Sequence, residues 1–232
     1  MAAVLHPPST AGVLEGERWA SGFPMDWTVA DLQRRLGGIP LARIHLYPWP
    51  GLASEKDVLD VHARTGRLCE LIDGILVEKP MGFFESALAL AIGGFLREYL
   101  KGRNLGIVAG EAGMLRILGN RIRIPDVSFI RWDRLPESRV PVPVVSPDLA
   151  VEVLSESNTE QEMQNKMDDY FAGGTRLAWI IDPRTRTARI YQAAREFTVI
   201  DQVGMLKGGD VLPGFELPLG ALFAELDRPE MA

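Results

Sequence analysis

The chain predicts an α+β or α/β domain, a mixed central β-sheet flanked by helices, on three observations. A tight hairpin at residues 67–79 runs directly into one long helix at 83–101 with a recurring apolar stripe. Strand-like runs then follow at 106–118, 122–130 and 148–154, with a single helix at 159–173 behind them. Three more strands fit 176–182, 186–192 and 196–202. A doubly wound sheet would alternate strands and helices throughout, and this order does not.

Residues 1–25 carry Pro, Gly and Ser without periodicity and read as a mobile arm. Residues 26–66 form a helical extension. Thr28 can cap a short helix over 29–36 that stops at Gly37-Gly38. Tyr47-Pro48-Trp49-Pro50-Gly51 is an extended connector, and Ser54 with Asp57 makes a capping box that opens a helix to about residue 63. The main domain spans 67–225. In its hairpin, Asp73-Gly74 suits a type I′ turn, in which both central residues take positive φ. In the long helix Phe84, Leu88, Ile92, Phe95 and Tyr99 recur at helical spacing, a stripe for core packing or a dimer face. Gly173-Gly174 ends the second helix, and residues 213–222 close the chain.

At 232 residues, 47% hydrophobic and 24% charged, the chain can bury one sizeable core. The one cysteine, Cys69, excludes an internal disulfide and sits in a strand-like run as a buried thiol. With only His6, His45 and His62 beside it, it cannot close a structural zinc site. The longest uncharged apolar stretch, 86–96, is too short to cross a bilayer, and the N-terminus lacks a basic signal-peptide region. The expected location is the cytosol, with no membrane partner. A net charge of −6 weighs against a nonspecific nucleic-acid binder, yet residues 97–139 hold nine Lys/Arg against five Asp/Glu. That segment is either a solvated basic face or a surface that meets phosphates. GxSxG, GxGxxG, GxxxxGK[ST] and HExxH are all absent, which removes the main support for serine hydrolase, dinucleotide, P-loop and zincin chemistry.

Two acids stand out because of their surroundings. Glu152 interrupts Leu149-Ala150-Val151-Glu152-Val153-Leu154, and Asp126 sits within Ile122-Arg123-Ile124-Pro125-Asp126-Val127-Ser128-Phe129-Ile130. Burying an unpaired carboxylate costs several kcal/mol, so each needs a cation or hydrogen-bond donors. Consecutive strands are often neighbours, and two carboxylates converging there would suit Mg²⁺ or Mn²⁺, which take hard oxygen ligands. The plain alternative pairs each acid with an arginine. Lys166 lies on the following helix, four residues before Tyr170 and on the same face. It can orient a water or offset developing negative charge. Its plain alternative is an exposed Glu162–Lys166 pair contributing a few tenths of a kcal/mol, with Tyr170 a packing residue. Glu70, among Leu68, Cys69, Leu71 and Ile72, is a candidate third acid.

Three blocks carry a resemblance. They are residues 67–79 (RLCELIDGILVEK), residues 123–129 (RIPDVSF), and Pro147-Asp148 through Ser155 followed by Lys166, Tyr170, Gly173 and residues 178–183 (AWIIDP). In order and spacing the chain resembles the Uma-two family of putative restriction endonucleases, within the PD-(D/E)XK nuclease superfamily. The resemblance implies a restriction-endonuclease-like fold and Mg²⁺-dependent hydrolysis of DNA phosphodiester bonds. It makes Asp126 and Glu152 metal ligands and catalytic acids, aided by the Val153 carbonyl, with Glu70 as an accessory ligand. Pro147-Asp148 is then a decoy, because the family places its catalytic Asp on the earlier strand. The superfamily's lysine would fall at Leu154; its role passes to Lys166, with Tyr170 accessory. Glu85 stands near the point where many relatives carry a histidine. Arg116, Arg121 and Arg123 of the basic segment are the nucleic-acid-binding candidates. A homodimer follows if both strands of a duplex are cut by symmetric sites. The competing possibility is a catalytically inactive nucleic-acid-binding or dimerisation module that retains the fold, favoured by the acidic pI and the displaced lysine.

Overall fold

The computed structural model describes residues 24, 26–80 and 82–227, so the arm expected at 1–25 lies almost wholly outside the described residues. In chain order the elements are α1 (Val29–Arg35), a 3-10 turn (Leu41–Arg43), α2 (Glu55–Thr65), β1 (Cys69–Ile72), β2 (Ile75–Glu78), α3 (Phe83–Leu100), β3 (Gly106–Ala109), β4 (Leu115–Leu118), β5 (Arg121–Arg123) and β6 (Val127–Arg131). They continue with β7 (Leu149–Val153), α4 (Glu160–Ala172), β8 (Leu177–Asp182), β9 (Thr187–Ala193), β10 (Glu196–Ile200), β11 (Met205–Lys207), β12 (Glu216–Pro218) and α5 (Leu219–Ala224).

The central sheet is six-stranded, in the order β10-β9-β8-β7-β6-β3. Only β7 and β8 run parallel; the other neighbours are antiparallel, so the sheet is mixed as the sequence predicts. β7 lies inside this sheet with a helix over each face, which explains its almost unbroken apolar run. Val151 and Val153 face α3, whose Leu88, Ile92 and Leu96 are buried against them with Trp179 and Ile181. Ala150 and Leu154 face α4, against Met163, Met167 and Tyr170. Strand alternation therefore sends Glu152 toward α4. The α3 stripe is mostly core: Leu88 and Ile92 are buried and Phe95 and Tyr99 pack on the same cluster, whereas Phe84 is exposed.

A second, four-stranded antiparallel sheet, β2-β1-β5-β4, was not anticipated. Its existence corrects two expected strands. The run at 106–118 is two strands, β3 in the central sheet and β4 in the small one. The run at 122–130 breaks between β5 and β6, at Ile124-Pro125-Asp126. Pro125 has no N–H to donate to a ladder, so the chain leaves one sheet there and enters the other.

The hairpin turn has the expected signature, with Asp73 at φ 50° and Gly74 at φ 76°. The Gly74 carbonyl accepts from the amides of Gly51 and Ala53, and a Cβ on Gly74 would lie 2.4 Å from the Gly51 carbonyl group. Gly74→Ala is expected to cost about 1–3 kcal/mol from the left-handed backbone alone, more with the clash. Urea denaturation measures it; a loss below about 0.5 kcal/mol would mean that the connector simply moves aside. The predicted capping box forms, the Asp57 carboxylate accepting from the Ser54 amide, and the expected Thr28 cap is a second such box, in which the Asp31 carboxylate accepts from the Thr28 amide. Among the described residues no helix is long and apolar enough to cross a membrane.

Candidate active site

The site lies where the small sheet meets α4 and the start of β6. Glu70 is paired in register with Val77, so the two share a face, and Lys79, two residues on, continues that face. Leu71 and Ile122 are paired and pack on the opposite side with Val58. Alternation then turns Glu70 and Arg123 together toward α4. Across from them α4 presents Glu162, Lys166 and Asp169, buried residues spaced four and three apart and hence on one helical face.

Each charge on this face finds a partner from a different element. The Lys166 ammonium lies 2.9 Å from Glu152 Oε2 and 3.2 Å from Glu70 Oε1. The Tyr170 hydroxyl donates to Glu152 Oε1 at 2.6 Å. Arg123 donates to Glu70 Oε2 at 2.7 Å and, through Nε and Nη2, to Asp169 Oδ2 at 2.9 and 2.5 Å. Glu162 is held by Arg43 of the 3-10 turn. Asp126, just before β6, accepts from the Val153 amide at 2.6 Å, which ties it to the residue next to Glu152. Its other oxygen pairs with Lys79 at 2.8 Å. Asp126 also lines a cavity of about 550 Å³ between α3 and β3, together with Arg97, Lys101 and Glu111.

Burial shapes the protonation of these groups. For Glu70, desolvation pushes the carboxyl up, but Lys166 and then Arg123 more than offset it and hold it at about 2. For Glu152, desolvation is the largest influence and, with the nearby charges of Asp126 and Glu70, raises the carboxyl in spite of Lys166. Desolvation lowers Lys166, yet Glu152 and Glu70 outweigh it and raise the ammonium above its ordinary value. A carboxylate held low in the folded state stabilises the fold above its ordinary value of 4.5, and this contribution is lost as pH falls toward about 2. Glu152, shifted the other way, opposes that trend. Glu70→Gln should therefore flatten the loss of stability between about pH 4.5 and 2, measured by urea midpoints across that range. An unchanged acid slope would show that Glu70 is not the group responsible.

The family model described as "Putative restriction endonuclease", Uma2, matches residues 56–220. The chain belongs to the Uma2 family. No curated protein matches it. Among solved structures it is similar to a "putative nuclease belonging to DUF820" from Anabaena variabilis ATCC 29413, at 23% identity and TM-score 0.64, covering 70% of this chain and 93% of that one. A weaker likeness, TM-score 0.34 and 16% identity, is to a chain of the DrdV–DNA complex; it covers 73% of this chain and 13% of that one. Family and fold together suggest a restriction-endonuclease-like nuclease.

Within this Uma2 fold, several sequence-predicted residues gather and others do not. Glu70, Glu152, Lys166 and Tyr170 form one buried cluster, and Asp126 adjoins it through Val153. Val153 engages Asp126 by its amide. Glu85 sits on the first turn of α3 with its carboxylate folded over Gly82, and among the described residues no hydrogen bond or ion pair ties it to the cluster. Arg123 requires a correction: it is 2% exposed and its guanidinium is enclosed by Glu70 and Asp169, so it is a scaffold cation and not a surface for nucleic acid. Arg121 is drawn inward by Asp73 and Asp169, and Arg116 by Glu55. The expected Glu162–Lys166 pair gives way to tertiary partners on both sides. Asp148 is fully buried against Arg134 and the Arg131 amide.

Lys79 was missed. Glu78-Lys79-Pro80 reads as the polar end of a hairpin, and only the Glu70–Val77 register reveals that Lys79 continues an inward face. It also bears on whether Uma2's residues here fit a divalent ion. Among the described residues no three His, Cys, Asp or Glu side chains form a ready-made cage. Mg²⁺, however, commonly uses one or two carboxylates and keeps waters. Asp126 and Glu152 are hard-oxygen donors of that kind, close enough for the charge of one to act on the other. The donor set fits such an ion, provided that Lys79 yields Asp126.

Proposed function

We propose that this Uma2 protein is a Mg²⁺- or Mn²⁺-dependent endonuclease hydrolysing DNA phosphodiester bonds, with residues 67–225 as the nuclease domain and 26–66 as its extension. The observation that carries it is a lysine fixed between two buried acids, Lys166 between Glu152 and Glu70, on the helix directly following the Glu152 strand. Asp126 and Glu152 would hold the ion, with the Val153 carbonyl beside them and Glu70 behind. When bound, the ion would polarise a phosphoryl oxygen and make an attacking water more acidic. Glu152 and Glu70 hold the Lys166 ammonium in one place, where it can orient that water and offset charge developing on the phosphate. Tyr170 fixes the Glu152 carboxylate by its hydroxyl. The cavity beside Asp126 offers an entry for the backbone, with Arg97 and Lys101 along its wall. Action on duplex DNA would call for two copies, and a cytosolic homodimer is the assembly we propose.

The test is incubation of purified protein with duplex, single-stranded and branched DNA, with Mg²⁺ or Mn²⁺ and then with a chelator. Cleavage that needs the divalent ion is expected. No cleavage of any substrate, together with no divalent-ion binding by calorimetry, overturns the proposal. The ion pair between Lys79 and Asp126 favours a second possibility, a noncatalytic nucleic-acid-binding module. Salt-dependent DNA affinity that survives Asp126→Ala and Glu152→Ala, without cleavage by the wild type, would select it.

A further inference from the structure

Lys79 lies one residue beyond β2, and its side chain is only 3% exposed. Its ammonium meets three oxygens: Asp126 Oδ1 at 2.8 Å, the Ile124 carbonyl at 2.7 Å and the Glu111 carbonyl at 3.4 Å. One carboxylate oxygen and two backbone carbonyls form the oxygen environment that a hard cation takes in proteins. The two lysines of the site are held differently. Lys166 is gripped by two carboxylates from separate strands, whereas Lys79 has one carboxylate and is otherwise met by neutral carbonyls.

Charge balance points the same way. Three carboxylates (Glu70, Asp126 and Glu152) face two ammoniums (Lys79 and Lys166), while Arg123 and Asp169 offset each other. A divalent ion arriving with Lys79 in place would leave this buried group with an excess of one positive charge. The same ion arriving as Lys79 withdraws leaves none, and a buried uncompensated charge is the costly outcome. The four-carbon stem of lysine allows the ammonium to move while the backbone stays, its amide bonded to the Leu68 carbonyl.

We propose that Lys79 is a tethered cation competing with the divalent ion: it holds the Asp126 carboxylate in the ion-free protein and swings away when the ion binds. This rests on Asp126 being a metal ligand. Lys79 then sets the ion concentration at which the site loads, and the ion-free protein keeps Asp126 neutralised without a metal.

Calorimetric titration of Mn²⁺ into the full chain tests this without reference to activity. Lys79→Met removes the charge, and Lys79→Gln removes it while keeping a donor for the Ile124 carbonyl, so the second variant decides if the first does not fold. Both are expected to bind Mn²⁺ more tightly than wild type, by about tenfold or more, and Asp126→Asn added to either should abolish the gain. If wild type binds Mn²⁺ and both Lys79 variants bind it equally or more weakly, the competition is overturned and the metal assignment stands. If neither wild type nor any Lys79 variant binds Mn²⁺, the metal assignment itself fails and takes this inference with it.

Discussion

Glu152→Gln is expected to abolish divalent-dependent DNA cleavage, lowering the rate by about 10³-fold or more, while leaving the protein folded. The substitution keeps the shape of the side chain, and Lys166 retains Glu70 as a counter-ion at 3.2 Å, so no buried ammonium is left alone. What disappears is one of two anionic oxygen donors. The effect should therefore appear in ion binding as well as in turnover. For wild type, an ion at about 100 times its Kd should raise stability by about 2.7 kcal/mol, and for Glu152→Gln that gain should vanish. Thermal unfolding with and without Mn²⁺ reads the first, and a supercoiled-plasmid assay reads the second. Cleavage within about tenfold of wild type would remove Glu152 from the chemistry, whatever its burial.

Arg123→Ala should produce the largest loss of stability in the molecule, about 3–5 kcal/mol. The guanidinium lies between Glu70 and Asp169, both buried, and also shares Asp169 with Arg121. Truncating it would leave Glu70 with only Lys166 and the Ile124 amide, and Asp169 with only Arg121, each short of a charged donor in a region closed to water. One arginine donates to both, through Nη1 on one side and through Nε and Nη2 on the other. Lysine has no such fork, so Arg123→Lys is expected to recover less than half of the loss. Urea midpoints at constant slope give the numbers. A change under about 1 kcal/mol would show that Lys166, the Ile124 amide and Arg121 hold the two acids well enough without it, and the scaffold role would have to be given up.

These two residues also show what a sequence can and cannot reveal. Glu152 was legible because a carboxylate in the middle of an apolar strand is conspicuous, and the strand ends up where that pattern says, with helices on both faces. Arg123 was misread because a basic residue in a basic segment looks like surface. Its partner Asp169 lies 46 positions away, and no local spacing connects them. Lys166 was placed on the right helix, but its partners come from β1 and β7, not from Glu162 one turn earlier. The small sheet escaped for a related reason: β5 has three residues and is joined to β6 through residues that still look like strand. Pairing partners, more than propensity, decide which sheet such short runs enter.

The three residues between β5 and β6 have a further consequence. The Ile124 amide donates to Glu70, the Ile124 carbonyl accepts from Lys79, and the Asp126 amide donates to the Val151 carbonyl. This short strap is thus the yoke by which one sheet's acid is set at a fixed offset from the other's. Any change in its length would slide Glu70 and Lys79 past Asp126 and Glu152 while leaving both ladders intact, so the protein would lose its chemistry and keep its shape.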